Sequence, residues 1–174
     1  MDCRPVGLDF LAAAPVRVIT EVALDTSPQR LFDVFLDADS WPRWAFAITR
    51  VTWTSPFPIA AGATRTVEMR AGMVGWETFL QWEPPTEMAF RFDRATKGGP
   101  EAFAEHYEVA PLPGGRCHLR WTMAADIPTT PAPMLPVVRG GMRAANQLML
   151  ARLRRYVAGG IDHVPRHIAP GGAP

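Results

Sequence analysis

The chain has 174 residues, 48% of them apolar and 20% charged, which suits one globular domain and excludes a disordered chain. Eighteen basic residues against 17 acidic leave a net charge of +1, too small for a protein held to nucleic acid by bulk charge. No run approaches the ~18 uninterrupted apolar residues of a membrane helix, so no stable membrane insertion is expected.

Residues 1–15 read as an N-terminal arm, with Pro5, Gly7 and Pro15 bracketing a short helix-capable stretch, Leu8–Ala14. From Arg17 to Leu24 apolar and β-branched residues alternate as in a strand. Ser27 then offers an N-cap and Pro28 a first helical residue, and Leu31, Phe32, Val34 and Phe35 follow at helical spacing over 28–37. A second, shorter helix opens at Asp39–Trp44, with Trp41 and Trp44 three apart on one face.

After Ala45 the period changes to two. Strands are expected near 48–54, 64–71, 74–83, 87–94, 102–110 and 116–126, separated by proline and glycine turns, which implies consecutive antiparallel hairpins. Pro128, Pro131, Pro133 and Pro136 end that pattern. A long helix is expected from about Pro133 to Val157, with Leu135, Val138, Met142, Ala145, Met149, Leu153 and Tyr156 on one stripe. Gly140-Gly141 inside it either bends the helix or admits another backbone, and Gly159-Gly160 ends it before a tail over 159–174. The domain proper is therefore 16–158. Cys3 and Cys117 make neither a disulfide framework nor a zinc set, and a cytoplasmic location is the simplest expectation.

Alternation also assigns faces. With a turn at Leu112–Gly114, Val109 pairs with Cys117, Tyr107 with Leu119, Glu105 with Trp121 and Phe103 with Met123, which keeps one face apolar. At Pro84-Pro85 the same logic sets Trp82 opposite Met88, Leu80 opposite Phe90 and Thr78 opposite Phe92. The inward set then holds Trp76, Thr78, Leu80, Phe90, Phe92, Phe103, Glu105, Tyr107 and Trp121, joined by Val67 and Met69. Glu77, Arg91, Asp93 and Arg120 face water.

The ordered set of motifs resembles the polyketide cyclase/dehydrase branch of the START-like, Bet v 1-like (SRPBCC, helix-grip) superfamily over about 16–158. It comprises Thr26-Ser27-Pro28, Trp41-Pro42-Arg43-Trp44, Gly62 before a strand, Pro84-Pro85 at a hairpin, and Gly114-Gly115-Arg116 before the last strand. The resemblance implies an α+β helix-grip fold. A seven-stranded curved antiparallel sheet, two short helices and a long C-terminal helix would enclose an apolar cavity for a hydrophobic small-molecule ligand. It implies no cofactor, and the sequence shows no phosphate loop, nucleophile elbow or nicotinamide fingerprint.

Glu105 is the one carboxylate that alternation turns inward, and burial would raise its pKa toward neutrality. With Tyr107 on the same face it is the candidate acid–base group; the bland alternative is a half-wet carboxylate paired with an arginine. Candidate ligand contacts are Trp44, Val67, Met69, Trp76, Thr78, Leu80, Phe90, Phe92, Phe103 and Trp121 on the sheet side. Met142, Asn146 and Met149 are the candidates on the helix, though each also reads as core. His106 and His118 face outward with Glu108, a polar ladder rather than a metal site, so no metal is expected. Arg139, Arg143, Arg152, Arg154 and Arg155 make a basic, solvated helix face. Two readings stay open: an enzyme that cyclises or dehydrates a polyketide-like or aromatic molecule, and a carrier or sensor of a hydrophobic ligand. Exposed sheet edges and the proline-rich 127–136 segment leave a homodimer possible.

Overall fold

A computed structural model describes residues 1–96 and 99–159; the C-terminal tail from 160 onward lies outside them. The chain runs α1 (Phe10–Ala13), β1 (Val16–Leu24), α2 (Pro28–Leu36), α3 (Trp41–Trp44), β2 (Ile48–Trp53), β3 (Thr64–Met69), β4 (Val74–Glu83), β5 (Glu87–Ala95), β6 (Ala102–Leu112), β7 (Arg116–Asp126) and α4 (Leu135–Ala158). The seven strands form one antiparallel sheet in the order β1-β7-β6-β5-β4-β3-β2. α4 packs chiefly on β1 and α3, so it closes the concave side across the ends of the sheet. This is the helix-grip arrangement.

The short helices are fixed by side chains that serve their loose ends. Ser27 Oγ accepts from the Arg30 N–H at the start of α2, with Pro28 beside it. At the other end, three carbonyls that α2 cannot use internally are taken up from outside. Val34 O accepts from Ser40 Oγ, Phe35 O from Trp41 Nε1 and Leu36 O from Trp53 Nε1. The tryptophans thus bury their rings while their N–H groups lock α2 to α3 and β2.

Two expectations about register need correction. Between β6 and β7 the pairs are Val109 with Leu119, Tyr107 with Trp121, Glu105 with Met123 and Phe103 with Ala125. The turn is Pro113-Gly114-Gly115, with Leu112 opposite Arg116 and both glycines at positive φ. The slip is two residues, an even number, so every side chain keeps its expected face.

The β4–β5 hairpin differs more. Trp82 does face Met88, but the register shifts between Phe79 and Gln81 and again between Trp76 and Glu77. A one-residue bulge exchanges faces. Phe79 and Glu77 are therefore buried inward, while Trp76, Thr78 and Leu80 turn to the outer side. There Thr78 donates to Asp93 and Arg94 stacks on Trp76. The bulges also bend the sheet, which opens space beneath it.

On that outer side the N-terminal arm is packed rather than loose. Val6, Phe10 and Leu11 lie on Ala102, Ala104 and Ala124 of β6 and β7, and the backbone N–H groups of Cys3 and Arg4 donate to Asp93 O and Glu101 O. A polar ladder crosses the same side, with His106 against Glu87 and Arg120 between Glu108 and Glu21. No cluster of three metal-ligating side chains occurs among the described residues. No helix among them is long and apolar enough to cross a membrane.

α4 starts at Leu135, after a 3-10 turn over Ala132–Met134, two residues later than the proline pattern suggests. Its buried residues are Asn146, Met149, Leu150, Leu153 and Val157, all from the middle of the helix onward. Gly140 and Gly141 face open space, so they admit no neighbouring backbone.

Candidate functional site

The concave face of the sheet, α3 and α4 enclose a cavity of about 300 Å³. That is the lower end of the range for small-molecule sites. Its wall includes Trp44, Val67, Met69, Phe90, Phe92, Phe103, Trp121, Met142 and Met149, together with Glu105 and Tyr107. Trp76, Thr78 and Leu80 are absent from the wall because of the β4 bulge. Asn146 is fully buried but lies off the wall, and its Nδ2 has no hydrogen-bond partner. Sequence reasoning missed Trp41, Ile48, Met73, Ile127 and, most consequentially, Arg65 and Glu77.

The partly exposed wall residues, among them Met69, Met73, Pro100, Ile127 and Met142, lie toward solvent. The fully enclosed end is aromatic. Trp41 and Trp44 sit 4.9 Å apart, Tyr107 stacks on Trp121 at 5.2 Å, and Phe90 stacks on Tyr107 at 6.1 Å.

Glu105 sits at this end, 7% exposed. Its Oε2 accepts from Tyr107 Oη at 2.6 Å and from Trp121 Nε1 at 3.0 Å. All three side chains are set by one register, since Tyr107 lies two residues along β6 and Trp121 lies opposite Tyr107 on β7. Burial pushes the Glu105 carboxyl from 4.5 to about 7. The Tyr107 bond pulls it down, the Glu77 charge pushes it up, and Arg65 and the Trp121 bond pull it down. Both bonds occupy Oε2, so the proton of the neutral acid belongs on Oε1. Tyr107 itself is pushed well above its ordinary range by burial and by the neighbouring Glu105, so its hydroxyl stays a donor.

Arg65 and Glu77 face one another across β3 and β4. They are 1% and 3% exposed, and Arg65 Nε donates to Glu77 Oε2 at 2.5 Å. The guanidinium lies 4.3 Å from the Trp41 ring centre, 4.6 Å from Phe90 and 5.0 Å from Phe79. The rings supply cation–π attraction in place of water. Burial pushes the Glu77 carboxyl up while the Arg65 charge and hydrogen bond oppose the shift. Arg65 Nη1 and Trp44 Nε1 are enclosed donors without an acceptor. The polar groups of the cavity thus gather at one buried end, and the rest of the wall is apolar.

Known proteins agree with this architecture. Residues 15–158 match the model of the family described as polyketide cyclase/dehydrase and lipid transport. The chain is 49% identical over 154 residues to uncharacterized protein Rv2574 of Mycobacterium tuberculosis, covering 88% of this chain and 92% of that one. It superposes on a START superfamily protein from Mycobacterium smegmatis with a TM-score of 0.63 at 11% identity, over 82% of this chain and 94% of the other. The di-domain ARO/CYC protein BexL from the BE-7585A biosynthetic pathway gives a TM-score of 0.67 at 12% identity, over 82% of this chain and 46% of that one. At such identities the two structures share the fold alone.

Proposed function

This chain belongs to the polyketide cyclase/dehydrase and lipid transport family, and from that premise we propose that its cavity binds a hydrophobic, aromatic or polyketide-like molecule and promotes cyclisation and dehydration without a cofactor. The observation that carries the catalytic part is Glu105. It is an enclosed carboxyl with one oxygen committed to Tyr107 and Trp121 and a pKa of about 7. Such a group is available as base and as acid at neutral pH.

In the proposed reaction, ionised Glu105 removes a proton from a carbon flanked by two carbonyls. The C–H electron pair moves into the enolate, whose carbon forms a bond to a third, more distant carbonyl carbon as that C=O π pair shifts onto its oxygen. The resulting alkoxide takes the proton back from Glu105, and loss of water then extends conjugation. Trp121, Tyr107 and Phe90, stacked on one another, give a planar product an aromatic wall to lie against. Holding the chain bent in a small cavity raises the local concentration of its reacting ends.

The alternative, a carrier without chemistry, draws on the methionines of the wall, Met69, Met73, Met142 and Met149, which adapt to varied apolar shapes. Native mass spectrometry of the purified protein, then identification of released compounds, supplies the ligand to test. The expected result is an aromatic or acyl species that the wild type converts and Glu105→Gln binds without converting. A ligand bound but converted by neither protein would leave the carrier reading.

A further inference from the structure

Three side chains that carry or can take up charge near neutral pH share the closed end of the cavity, Arg65, Glu77 and Glu105, while Tyr107 beside them stays neutral. Arg65 and Glu77 cancel. Glu105 contributes nothing when protonated and one negative charge when ionised. The closed end is therefore neutral or negative, and no cation there is left without a counter-ion. The guanidinium already donates to Glu77 and lies against Trp41 and Phe90.

A carboxylate entering this end would shed its hydration shell and find two unpaired donors, Arg65 Nη1 and Trp44 Nε1, which a neutral carbonyl can use equally well, but no uncompensated cation. It would also meet the buried Glu77, where bulk solvent screens like charges less. An uncharged ligand of the same shape faces neither cost. Remove the Glu77 charge while Glu105 is protonated, and Arg65 becomes a buried cation in need of an anion.

We propose that Glu77 is a specificity-determining residue. By neutralising Arg65 it makes the cavity select uncharged hydrophobic ligands, such as ketones, esters, lactones or quinones, over their carboxylate analogues. This rests on the ligand-cavity reading above and adds the charge of the ligand to it.

The test uses dimethylaminonaphthoic acid and its methyl ester, two fluorescent probes that differ in charge. Both are titrated into the full chain at pH 6, where the naphthoate is ionised and Glu105 is largely protonated. Wild type is expected to bind the ester at least ~10-fold more tightly than the acid. In Glu77→Gln the acid should gain at least ~10-fold while the ester changes less than about threefold. Glu77→Asp, which withdraws the carboxylate from Arg65 but keeps its charge, should give a smaller gain in the same direction if the glutamine variant fails to fold. The double variant Arg65→Gln/Glu77→Gln carries no unmasked cation and should keep the ester preference.

Equal binding of both probes by wild type would overturn the proposal. So would unchanged acid binding in the single variants, or a gain in the double variant as large as in Glu77→Gln. If neither probe binds to any variant, the ligand-cavity reading fails with it; if the ester binds but charge makes no difference, only the role of Glu77 falls.

Discussion

Replacing Glu105 with glutamine gives the sharpest physical test of the site, because the expected effect is on stability and needs no substrate. The folded-state pKa of Glu105 is raised from 4.5 to about 7. A raised acid stabilises the fold fully below its unfolded value and loses that contribution as pH rises through its folded value. The window is therefore about pH 4.5 to 7. At ~1.36 kcal/mol per pH unit, ionising Glu105 inside the protein costs about 3 kcal/mol in total. Most of this falls between pH 5 and pH 8. Glutamine retains an acceptor for Tyr107 and Trp121 and cannot ionise. Urea denaturation of wild type and Glu105→Gln at pH 5, 6, 7 and 8 should thus show the difference moving in favour of the variant by ~2–3 kcal/mol as pH rises. Glu77 titrates in both proteins and largely cancels. Two parallel pH–stability curves would refute the reasoning, since Glu105 would then have the same proton affinity folded and unfolded.

Three further substitutions test the geometry of the cavity wall and of α4. A Cβ on Gly75 would come within 2.9 Å of the Phe92 ring; Gly75→Ala should displace that ring, cost ~1–3 kcal/mol and weaken ester-probe binding, and unchanged stability would contradict the close approach. By contrast Cβ atoms at Gly140 and Gly141 meet open space inside α4. Alanine at each should raise stability by up to ~1 kcal/mol, measured by urea denaturation, and a loss instead would mean that something packs on this helix face in solution.

Much of the fold was legible in the sequence because its signals are local. Ser27-Pro28, the paired tryptophans of α3, the proline and glycine turns and the long period-two stretch each constrain a few neighbouring residues, and together they allow few topologies. Glu105 was legible for the same reason. Its strand is regular, and even a two-residue slip in the paired strand leaves parity intact. Arg65 was legible in principle, since the alternation that turns Val67 and Met69 inward turns Arg65 inward with them. A buried arginine on β3 then calls for a carboxylate on β4.

What the sequence could not supply was the bulge near Leu80. A bulge is a mismatch between two strands, with no period or composition of its own, and it reverses the faces of everything beyond it on β4. That single irregularity moved Trp76, Thr78 and Leu80 out of the cavity and brought Glu77 in. The packing of the arm onto β6 and β7 was likewise invisible, because it depends on three alanines, Ala102, Ala104 and Ala124, leaving room on the outer face. Local pattern determined the order of the elements and the face of each regular strand. Only the tertiary structure decided which charges share the buried end of the cavity, because that choice depends on how two strands slip past one another and on what burial then requires of each charge.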